Sequence, residues 1–263
     1  MYYKDLFNLK NKVAVVTGAA GLLGNEFVKA LSENGASVIA ADIAKDKGNK
    51  LEKFCEQQKA KVDFKHLDIA KAKSISELIN FADRNYKKID IWVNSAYPKT
   101  KDWGVKFESI PTASWRKNID AHLNGYCFCC RAAAEYMKKK KSGGSIVNLA
   151  SIYGILGPDF SIYKNTDMTM PAAYSVIKGG IINFTRYLAS YYGKYDIRVN
   201  SISPGGILDK QPKAFIRKYQ EKTPLRRMAN KEDVSGGVVY LASDNAKYIT
   251  GHNLVIDGGW SII

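Results

Sequence analysis

The sequence predicts an α/β fold in which a doubly wound parallel sheet carries helices on both faces. Short segments rich in β-branched residues alternate with amphipathic segments along the whole chain, and this alternation is typical of parallel strands joined by crossover helices. The 263 residues are 46% hydrophobic, which is enough to bury the core of a single domain, residues 1–263. In such sheets ligands bind at the carboxyl ends of the strands.

The predicted strands are short apolar runs that are expected to be buried on both faces, as strands of a parallel sheet are. In chain order they span residues 12–16, 37–41, 62–66, 89–93, 145–149, 197–201 and 253–256.

The predicted helices follow from apolar residues spaced three and four apart, and Gly35 ends the first of them. They span residues 22–34, 47–59, 74–86, 113–137, 174–192 and 231–241. Two other segments, 154–173 and 204–230, are too long and irregular for plain connectors. We expect them to shape a substrate site.

The composition excludes several classes of protein. With 25% charged and 11% aromatic residues, the chain is not mainly disordered, collagen-like or dependent on disulfides. No apolar run reaches the roughly 18–20 residues of a membrane span, and the start, Met1–Leu6, lacks the pattern of a signal peptide. We therefore expect a cytoplasmic protein that does not enter the membrane.

The net charge of +15 raises the question of nucleic-acid binding. The lysines are scattered, however, and no nucleic-acid motif accompanies them. A small molecule is therefore the expected partner, with no nucleic acid.

Metal binding is not expected. Neither the cysteines nor the histidines show the paired spacing of metal ligands, and disulfides are unusual in the cytosol. Packing on helices explains the cysteines better, and structural roles explain the histidines. The residues are Cys55, Cys127, Cys129, Cys130, His66, His122 and His252.

A glycine-rich turn follows the first predicted strand and opens a helix. It reads TGAAGLLG over residues 17–24. Such a turn brings a pyrophosphate close to the amino end of a helix, although a tight turn without a ligand remains the alternative.

Asp42 follows the second strand, where a carboxylate accepts hydrogen bonds from the adenosine ribose and repels a 2′-phosphate. No Arg or Lys lies within the glycine turn, so NAD is favoured over NADP, but Lys45 and Lys47 are close in sequence. Asp68, after the third strand, either accepts a hydrogen bond from the adenine amino group or caps the next helix.

Tyr174 and Lys178 are four residues apart and therefore share a helix face. A free phenol has a pKa near 10, and a nearby cation is expected to lower the pKa of Tyr174 into a range useful for proton transfer. Ser151 ends the fifth strand and is positioned to hold a substrate oxygen beside Tyr174.

With these residues in place, the chain resembles the short-chain dehydrogenase/reductase family over nearly its whole length. The matching positions are Thr17-Gly18, Asn94-Ser95-Ala96, Asn124, Ser151, Tyr174, Lys178, Pro204-Gly205, Thr250-Gly251 and Ile256-Asp257-Gly258-Gly259. The resemblance implies a Rossmann-type fold, a homotetramer, and hydride transfer between a nicotinamide cofactor and an alcohol/ketone pair.

The resemblance also implies a role for each catalytic residue. Tyr174 is the general acid and base, and Ser151 positions the substrate oxygen. Lys178 binds the nicotinamide ribose and tunes Tyr174, and Asn124 holds a water for proton relay. Residues expected at the cofactor are Gly18, Ala20, Gly21, Leu22, Leu23, Gly24, Asp42, Ile43, Asp68, Ile69, Asn94, Ser95, Ala96, Tyr174, Lys178, Pro204, Gly205 and Ile207. Residues expected at the substrate are Tyr97, Tyr153, Asp159, Arg217 and Arg226.

Three departures from the family pattern matter. The middle glycine of the turn is shifted to Gly21, and Ser95 and Tyr97 replace the family's residues after the fourth strand. Ser151 also lies 23 residues before Tyr174, further than the family's serine does, which implies an insertion within 155–171. Ser161, 13 residues before Tyr174, is the alternative serine.

The insertion resembles the flagellin modification protein A branch of the family, which implies a sugar, sugar phosphate or nucleotide sugar as substrate in surface-glycan biosynthesis. Seven basic residues lie between Lys210 and Arg227, opposed there only by Glu221. They favour either an anionic substrate or a solvated basic helix.

Two other functions stay open. One is an NADPH-dependent 3-oxoacyl reductase of lipid synthesis, against which Asp42 and the polar segment 159–167 argue. The other is a non-catalytic cofactor-binding or nucleic-acid-associated protein, against which the intact set of Asn124, Ser151, Tyr174 and Lys178 argues.

Overall fold

The computed structural model describes residues 5–263 as a single seven-stranded parallel sheet flanked by helices. The residues Met1–Lys4, which belong to the start examined above for a signal peptide, lie outside the described residues. The strands are β1 Val13–Thr17, β2 Ser37–Asp42, β3 Val62–His66, β4 Ile91–Asn94, β5 Gly144–Leu149, β6 Ile197–Pro204 and β7 Asn253–Ile256. Their order in the sheet is β3-β2-β1-β4-β5-β6-β7, which confirms the predicted fold class.

The helices cover both faces of the sheet. They are α1 Leu22–Glu33, α2 Lys45–Gln57, α3 Ala72–Tyr86, α4 Thr112–Asn118, α5 Gly125–Lys140, α6 Ala172–Tyr192, α7 Lys213–Lys222 and α8 Glu232–Ala242. Side chains alternate between the faces along each strand. Val13 and Val15 of β1 therefore pack with α3, α5 and α6, whereas Ala14 and Val16 pack with α1, α2 and α8.

Two helical features differ from the sequence-based prediction. The single helix predicted over 113–137 is interrupted by a π-helical turn, Ile119–Asn124, between α4 and α5. In addition, α7 lies inside the segment 204–230, which was expected to be irregular. Phe215 and Tyr219 are four residues apart and both buried, so they anchor a helix whose other positions are mostly charged.

Within the described residues, no helix is long and apolar enough to span a membrane. Nor does any cluster of three or more His, Cys, Asp or Glu side chains offer a metal site in that part of the chain, and all four cysteines are free thiols.

The order of the strands reverses between β1 and β4, which lie side by side. In open α/β sheets this reversal leaves a crevice at the carboxyl ends of the strands. The loops after β1, β4 and β5 all open into that crevice.

Candidate active site

A cavity of about 830 Å³ occupies the crevice, a volume typical of small-molecule and cofactor sites. It extends from the glycine turn after β1, past the ends of β4 and β5, to the segments around α6 and α7. The cavity therefore joins the predicted nucleotide end to the predicted chemical end.

Close backbone packing explains two of the glycines at the nucleotide end. Gly18 has a φ of +68°, and a Cβ there would lie 2.5 Å from the Cα of Ala96. A Cβ on Gly24 would lie 2.1 Å from the carbonyl oxygen of Gly18. The turn therefore packs directly against the start of α1 and the end of β4.

The shifted glycine, Gly21, has more room: the nearest atom to a Cβ there is 3.2 Å away. Gly21 precedes α1, and no side chain among the described residues caps the helix there. The first amide groups of α1 line the cavity and are oriented to bind an anion.

Asp42 fastens the glycine turn to the end of β2. Its carboxylate accepts hydrogen bonds from the backbone amides of Ala20 at 2.9 Å and Ala44 at 2.8 Å. Ile43, which is 63% exposed, and Lys47 line the same end of the cavity. A carboxylate and a cation thus line the end of the cavity that was predicted to hold the nucleotide.

Asp68 lines the cavity and also satisfies its local turn. Its carboxylate accepts a hydrogen bond from the amide of Ala70 at 3.1 Å and pairs with Lys71 at 3.4 Å. Ser95 replaces the family's usual residue after β4, and its hydroxyl donates a hydrogen bond to the carbonyl of Thr17 at 2.8 Å. This replacement therefore links β4 to β1.

The structure does not bring Asn94 to the cavity. Its amide group donates to Asn148 at 2.9 Å and to the sulfur of Cys130 at 3.2 Å, and it accepts from the indole of Trp92 at 2.8 Å. The side chain is fully buried inside the sheet. Its contacts are those of a core residue.

Ser151, Tyr174 and Lys178 meet at the other end of the cavity. The hydroxyl of Ser151 is close enough to that of Tyr174 to favour the charged form of the phenol. Lys178 is 2% exposed, and its ammonium donates a hydrogen bond to the carbonyl of Leu149 at 2.6 Å. The ammonium nitrogen lies 5.5 Å from the centre of the Tyr174 ring. Ser161 does not line the cavity, so the geometry favours Ser151 over this alternative.

The pKa of Tyr174 shifts in the opposite direction to the one expected. Burial raises the pKa of Tyr174, and the nearby Ser151 hydroxyl opposes that rise only in part. Burial also lowers the pKa of Lys178 to about 7. Lys178 is thus a weaker cation than the sequence suggested, because the same burial penalises the charge on both groups.

Two aromatic rings pack against the ring of Tyr174. Tyr97 and Trp103 contact the Tyr174 ring edge to face, with centroid distances of 5.8 and 6.3 Å. The indole of Trp103 donates a hydrogen bond to the hydroxyl of Tyr97 at 2.8 Å. Tyr97 therefore stands at the cavity as predicted, whereas Trp103 gave no signal in the sequence.

The π-helical turn places His122, and not Asn124, among the aromatic rings beside the cavity. The Asn124 amide donates to Asp120 at 2.9 Å in an exposed position, and Asn124 does not line the cavity. His122 is fully buried, with the rings of Tyr97 and Tyr126 at 5.4 and 5.3 Å. Residues two apart on a helix point in different directions, so only one of the two reaches this position.

The side of the cavity that was predicted to hold the substrate is mainly aromatic and apolar. Tyr153 was predicted there, and its hydroxyl lies 3.4 Å from that of Tyr163. The rest of this wall comes from the two segments that were expected to shape the substrate site, 154–173 and 204–230, although its individual residues were not singled out. The additional wall residues are Tyr163, Met168, Met170, Phe215, Tyr219 and Met228.

None of the seven basic side chains of the segment 210–227 lines the cavity. Asp159 forms an ion pair with Lys222, which lowers the pKa of Asp159 to about 2. Arg217 pairs with Glu221 at 2.9 Å, and Arg226 donates to the carbonyl of Glu221 at 2.7 Å. The ion pair of Lys222 with Asp159 joins α7 to the insertion. The contacts of Arg217 and Arg226 with Glu221 are local to α7 and the turn that follows it. Asp159, Arg217 and Arg226, all predicted at the substrate, thus lie outside the cavity.

The remaining predicted cofactor residues, all except Asn94, line the cavity. They are Gly18, Ala20, Gly21, Leu22, Leu23, Gly24, Asp42, Ile43, Asp68, Ile69, Ser95, Ala96, Tyr174, Lys178, Pro204, Gly205 and Ile207.

Comparisons with known protein families and sequences match nearly the whole chain. A family model described as Enoyl-(Acyl carrier protein) reductase matches residues 18–261. The post-translational flagellin modification protein A of Campylobacter coli is 37% identical over 258 residues, which cover 97% of this chain and 100% of that protein.

Solved structures share the whole fold. A short-chain dehydrogenase from Leptospira borgpetersenii with bound NAD+ is 34% identical and superposes with a TM-score of 0.85, covering 99% of this chain and 96% of that one. A short-chain type dehydrogenase/reductase from Mycobacterium marinum is 27% identical, with a TM-score of 0.90 and full coverage of both chains.

Proposed function

Because the chain belongs to the short-chain dehydrogenase/reductase family, we propose that it is an NAD-dependent oxidoreductase that interconverts an alcohol and a ketone on a sugar, sugar phosphate or nucleotide sugar during surface-glycan (flagellin) modification. One observation carries this proposal. Ser151, Tyr174 and Lys178 line one end of a continuous cavity, and the glycine turn and Asp42 line the other.

The nucleotide end fits a dinucleotide. Gly18 and Gly24 close the turn so tightly that no Cβ is tolerated, and the amides at the start of α1 suit a pyrophosphate. Asp42 would hold the adenosine ribose, and Lys178 the nicotinamide ribose. NAD supplies the hydride acceptor when it is bound.

The chemical end fits acid–base catalysis. Ser151 and Tyr174 hold the substrate oxygen between their hydroxyls, which line the same end of the cavity. In the oxidation direction the Tyr174 oxygen accepts the proton of the substrate hydroxyl, and in the reduction direction it returns that proton to the carbonyl oxygen. Positioning and charge are the contributions of the protein.

Two observations support a sugar-type substrate. The relative at 37% identity is a flagellin modification protein, and the aromatic wall offers flat rings for the C–H face of a sugar. Lys99 and Gln211 add polar groups to the lining. The test is turnover of a panel of sugars, sugar phosphates and nucleotide sugars, followed by absorbance of the reduced nicotinamide.

A second candidate function, an NADPH-dependent 3-oxoacyl reductase, is favoured by the apolar part of the wall. Met168, Met170 and Met228 suit an acyl chain. Lys47 lines the same end of the cavity as Asp42 and would pair with a 2′-phosphate. Turnover of an acyl thioester with NADPH, and not of any sugar with NADH, would establish this second function in place of the first.

A further inference from the structure

Three polar atoms behind the reactive residues have no protein partner. They are both ring nitrogens of His122 and the hydroxyl of Tyr126, all buried, and no hydrogen-bonding group among residues 5–263 contacts them. Buried polar atoms are nearly always satisfied by protein or by an ordered water. Three such atoms in two contacting side chains therefore indicate a small polar site.

The site lies next to Lys178. The ammonium of Lys178 is 5.4 Å from the centre of the Tyr126 ring, and its charge disfavours protonation of His122. Only one hydrogen bond of the ammonium to the protein, to Leu149, is present among the described residues. Because an ammonium has three donors, others remain for a water.

The π-helical turn produces this arrangement. It widens the helix between α4 and α5 by one residue per turn and turns His122 inwards between the rings of Tyr97 and Tyr126. Burial lowers the pKa of His122 well below its ordinary value. The imidazole is therefore neutral, with one nitrogen that donates and one that accepts.

We propose that His122 is a positioning residue which, with the Tyr126 hydroxyl, binds an internal water that accepts a hydrogen bond from the Lys178 ammonium. Through that water His122 stabilises the protonated form of Lys178. By holding this water beside Lys178, His122 takes the place that the family resemblance gave to Asn124. The catalytic consequence depends on the proposed function, but the water site does not.

The first test uses the protein without cofactor. With a folded-state pKa near 7 and an unfolded value near 10.4, Lys178 binds its proton more readily in the unfolded chain between these pH values. Stability therefore rises with pH across this window. The other groups facing Lys178 are Tyr174, Tyr126 and His122, and beyond Tyr126 lie Cys129 and Cys130. All of these phenols and thiols have raised pKa values, and His122 stays neutral.

We would measure the unfolding temperature from pH 6 to pH 9 for the wild type, His122→Leu, His122→Gln and Lys178→Met. His122→Leu is expected to move the start of the rise to lower pH by at least about half a unit, because the ammonium loses its water. His122→Gln retains a donor and an acceptor and is expected to follow the wild type. Lys178→Met is expected to lack this rise in unfolding temperature, which shows that the rise in the wild type is due to Lys178.

The second test measures kcat against pH in the oxidation direction. His122→Leu is expected to lower kcat at least tenfold and to displace the pH profile, with His122→Gln restoring both. Superimposable unfolding curves for His122→Leu and the wild type would overturn the proposal, as would a shift in Asn124→Ala but not in His122→Leu. An enzyme inactive on every substrate would refute only the proposed function, since the unfolding curves still decide the water site.

Discussion

Tyr174 is the residue on which the proposed chemistry depends most. Tyr174→Phe removes the hydroxyl and keeps the ring, so we predict that NADH binding is retained and that kcat falls about 10²- to 10⁴-fold, the usual contribution of a general acid or base. Steady-state turnover and NADH fluorescence titration measure the two quantities. Tyr240→Phe makes the same change on α8, away from the cavity, and serves as the control. Normal turnover by Tyr174→Phe would remove Tyr174 from its role.

The raised pKa of Tyr174 gives a pH dependence with a definite sign. Because burial favours the neutral phenol, little phenolate is present near neutral pH. Alcohol oxidation needs the phenolate, and its kcat/KM is predicted to rise up to about tenfold per pH unit on the alkaline side. Carbonyl reduction needs the phenol and is predicted to stay nearly level. A profile for oxidation that falls above neutral pH would contradict this account.

Asp42 and Lys47 are predicted to act in opposite directions on cofactor choice. Asp42→Ala removes the carboxylate that faces the ribose end, so NADH binding should weaken about 10- to 100-fold, the loss expected for a hydrogen bond to a charged group. Discrimination against NADPH should relax at the same time. Lys47→Ala should weaken NADPH alone. Fluorescence titration of both nucleotides tests this, with the exposed Asp46→Ala as control. An unchanged preference in Asp42→Ala would refute the role of Asp42.

The place of a site residue in the fold could be predicted from the sequence when it follows a strand or repeats with helical spacing. It could not be predicted when it depends on how distant segments pack together. Ser151 was identified because it follows β5, although its distance from Tyr174 in sequence is unusual. Arg217 was placed at the substrate from composition alone, yet it points away from the cavity towards Glu221. His122 was assigned a structural role, because its direction depends on the π-helical turn, for which the sequence carried no recognised signal.

At the scale of the elements, the junction of β1 and α1 is predicted to tolerate no side chain at Gly24. Gly24→Ala would place a Cβ 2.1 Å from the Gly18 carbonyl oxygen, so α1 must shift and cofactor binding should be lost together with several degrees of unfolding temperature. Gly236→Ala is the matched control, because its Cβ on α8 meets nothing within 4 Å. That change should stabilise the protein by roughly 0.5–1 kcal/mol. Wild-type NADH affinity in Gly24→Ala would contradict this packing.

The least predictable element was α7. Its charged residues suggested a solvated or anion-binding segment, whereas Phe215 and Tyr219 attach it to Tyr163 and Trp260 in a small core of its own. The basic residues then pair with nearby groups, as Lys222 does with Asp159. A pattern of two apolar residues four apart was present in the sequence, but the high charge obscured it.

At the scale of the molecule, the exposed face of α6 supports the predicted homotetramer. Tyr187 and Tyr191 stack on each other at 6.0 Å while 60% and 52% exposed, and Val176 on the same helix is 51% exposed. Large exposed apolar surfaces are typical of subunit contacts. Tyr191→Arg is predicted to reduce the assembly to smaller species in analytical ultracentrifugation. Tyr248→Arg, at a fully exposed tyrosine, should not. A wild-type monomer would contradict the prediction.

The whole fold was predictable because strand and helix alternation determines a parallel sheet, and the sheet determines where its strand ends gather. The order of the strands depends on which neighbours the crossovers connect. The sequence shows only that strands and helices alternate. The net charge of +15 was less informative. Several of the basic side chains are in local ion pairs, such as those of Lys231 with Glu26 and Arg227 with Asp233.

The most direct test of the central claim is a fluorescence titration of the protein with NADH and NADPH, repeated with the sugar panel while the nicotinamide absorbance is followed. We predict tighter binding of NADH than of NADPH, and turnover of at least one sugar, sugar phosphate or nucleotide sugar. Preference for NADPH with turnover of acyl thioesters alone would contradict both the role of Asp42 and the proposed substrate class.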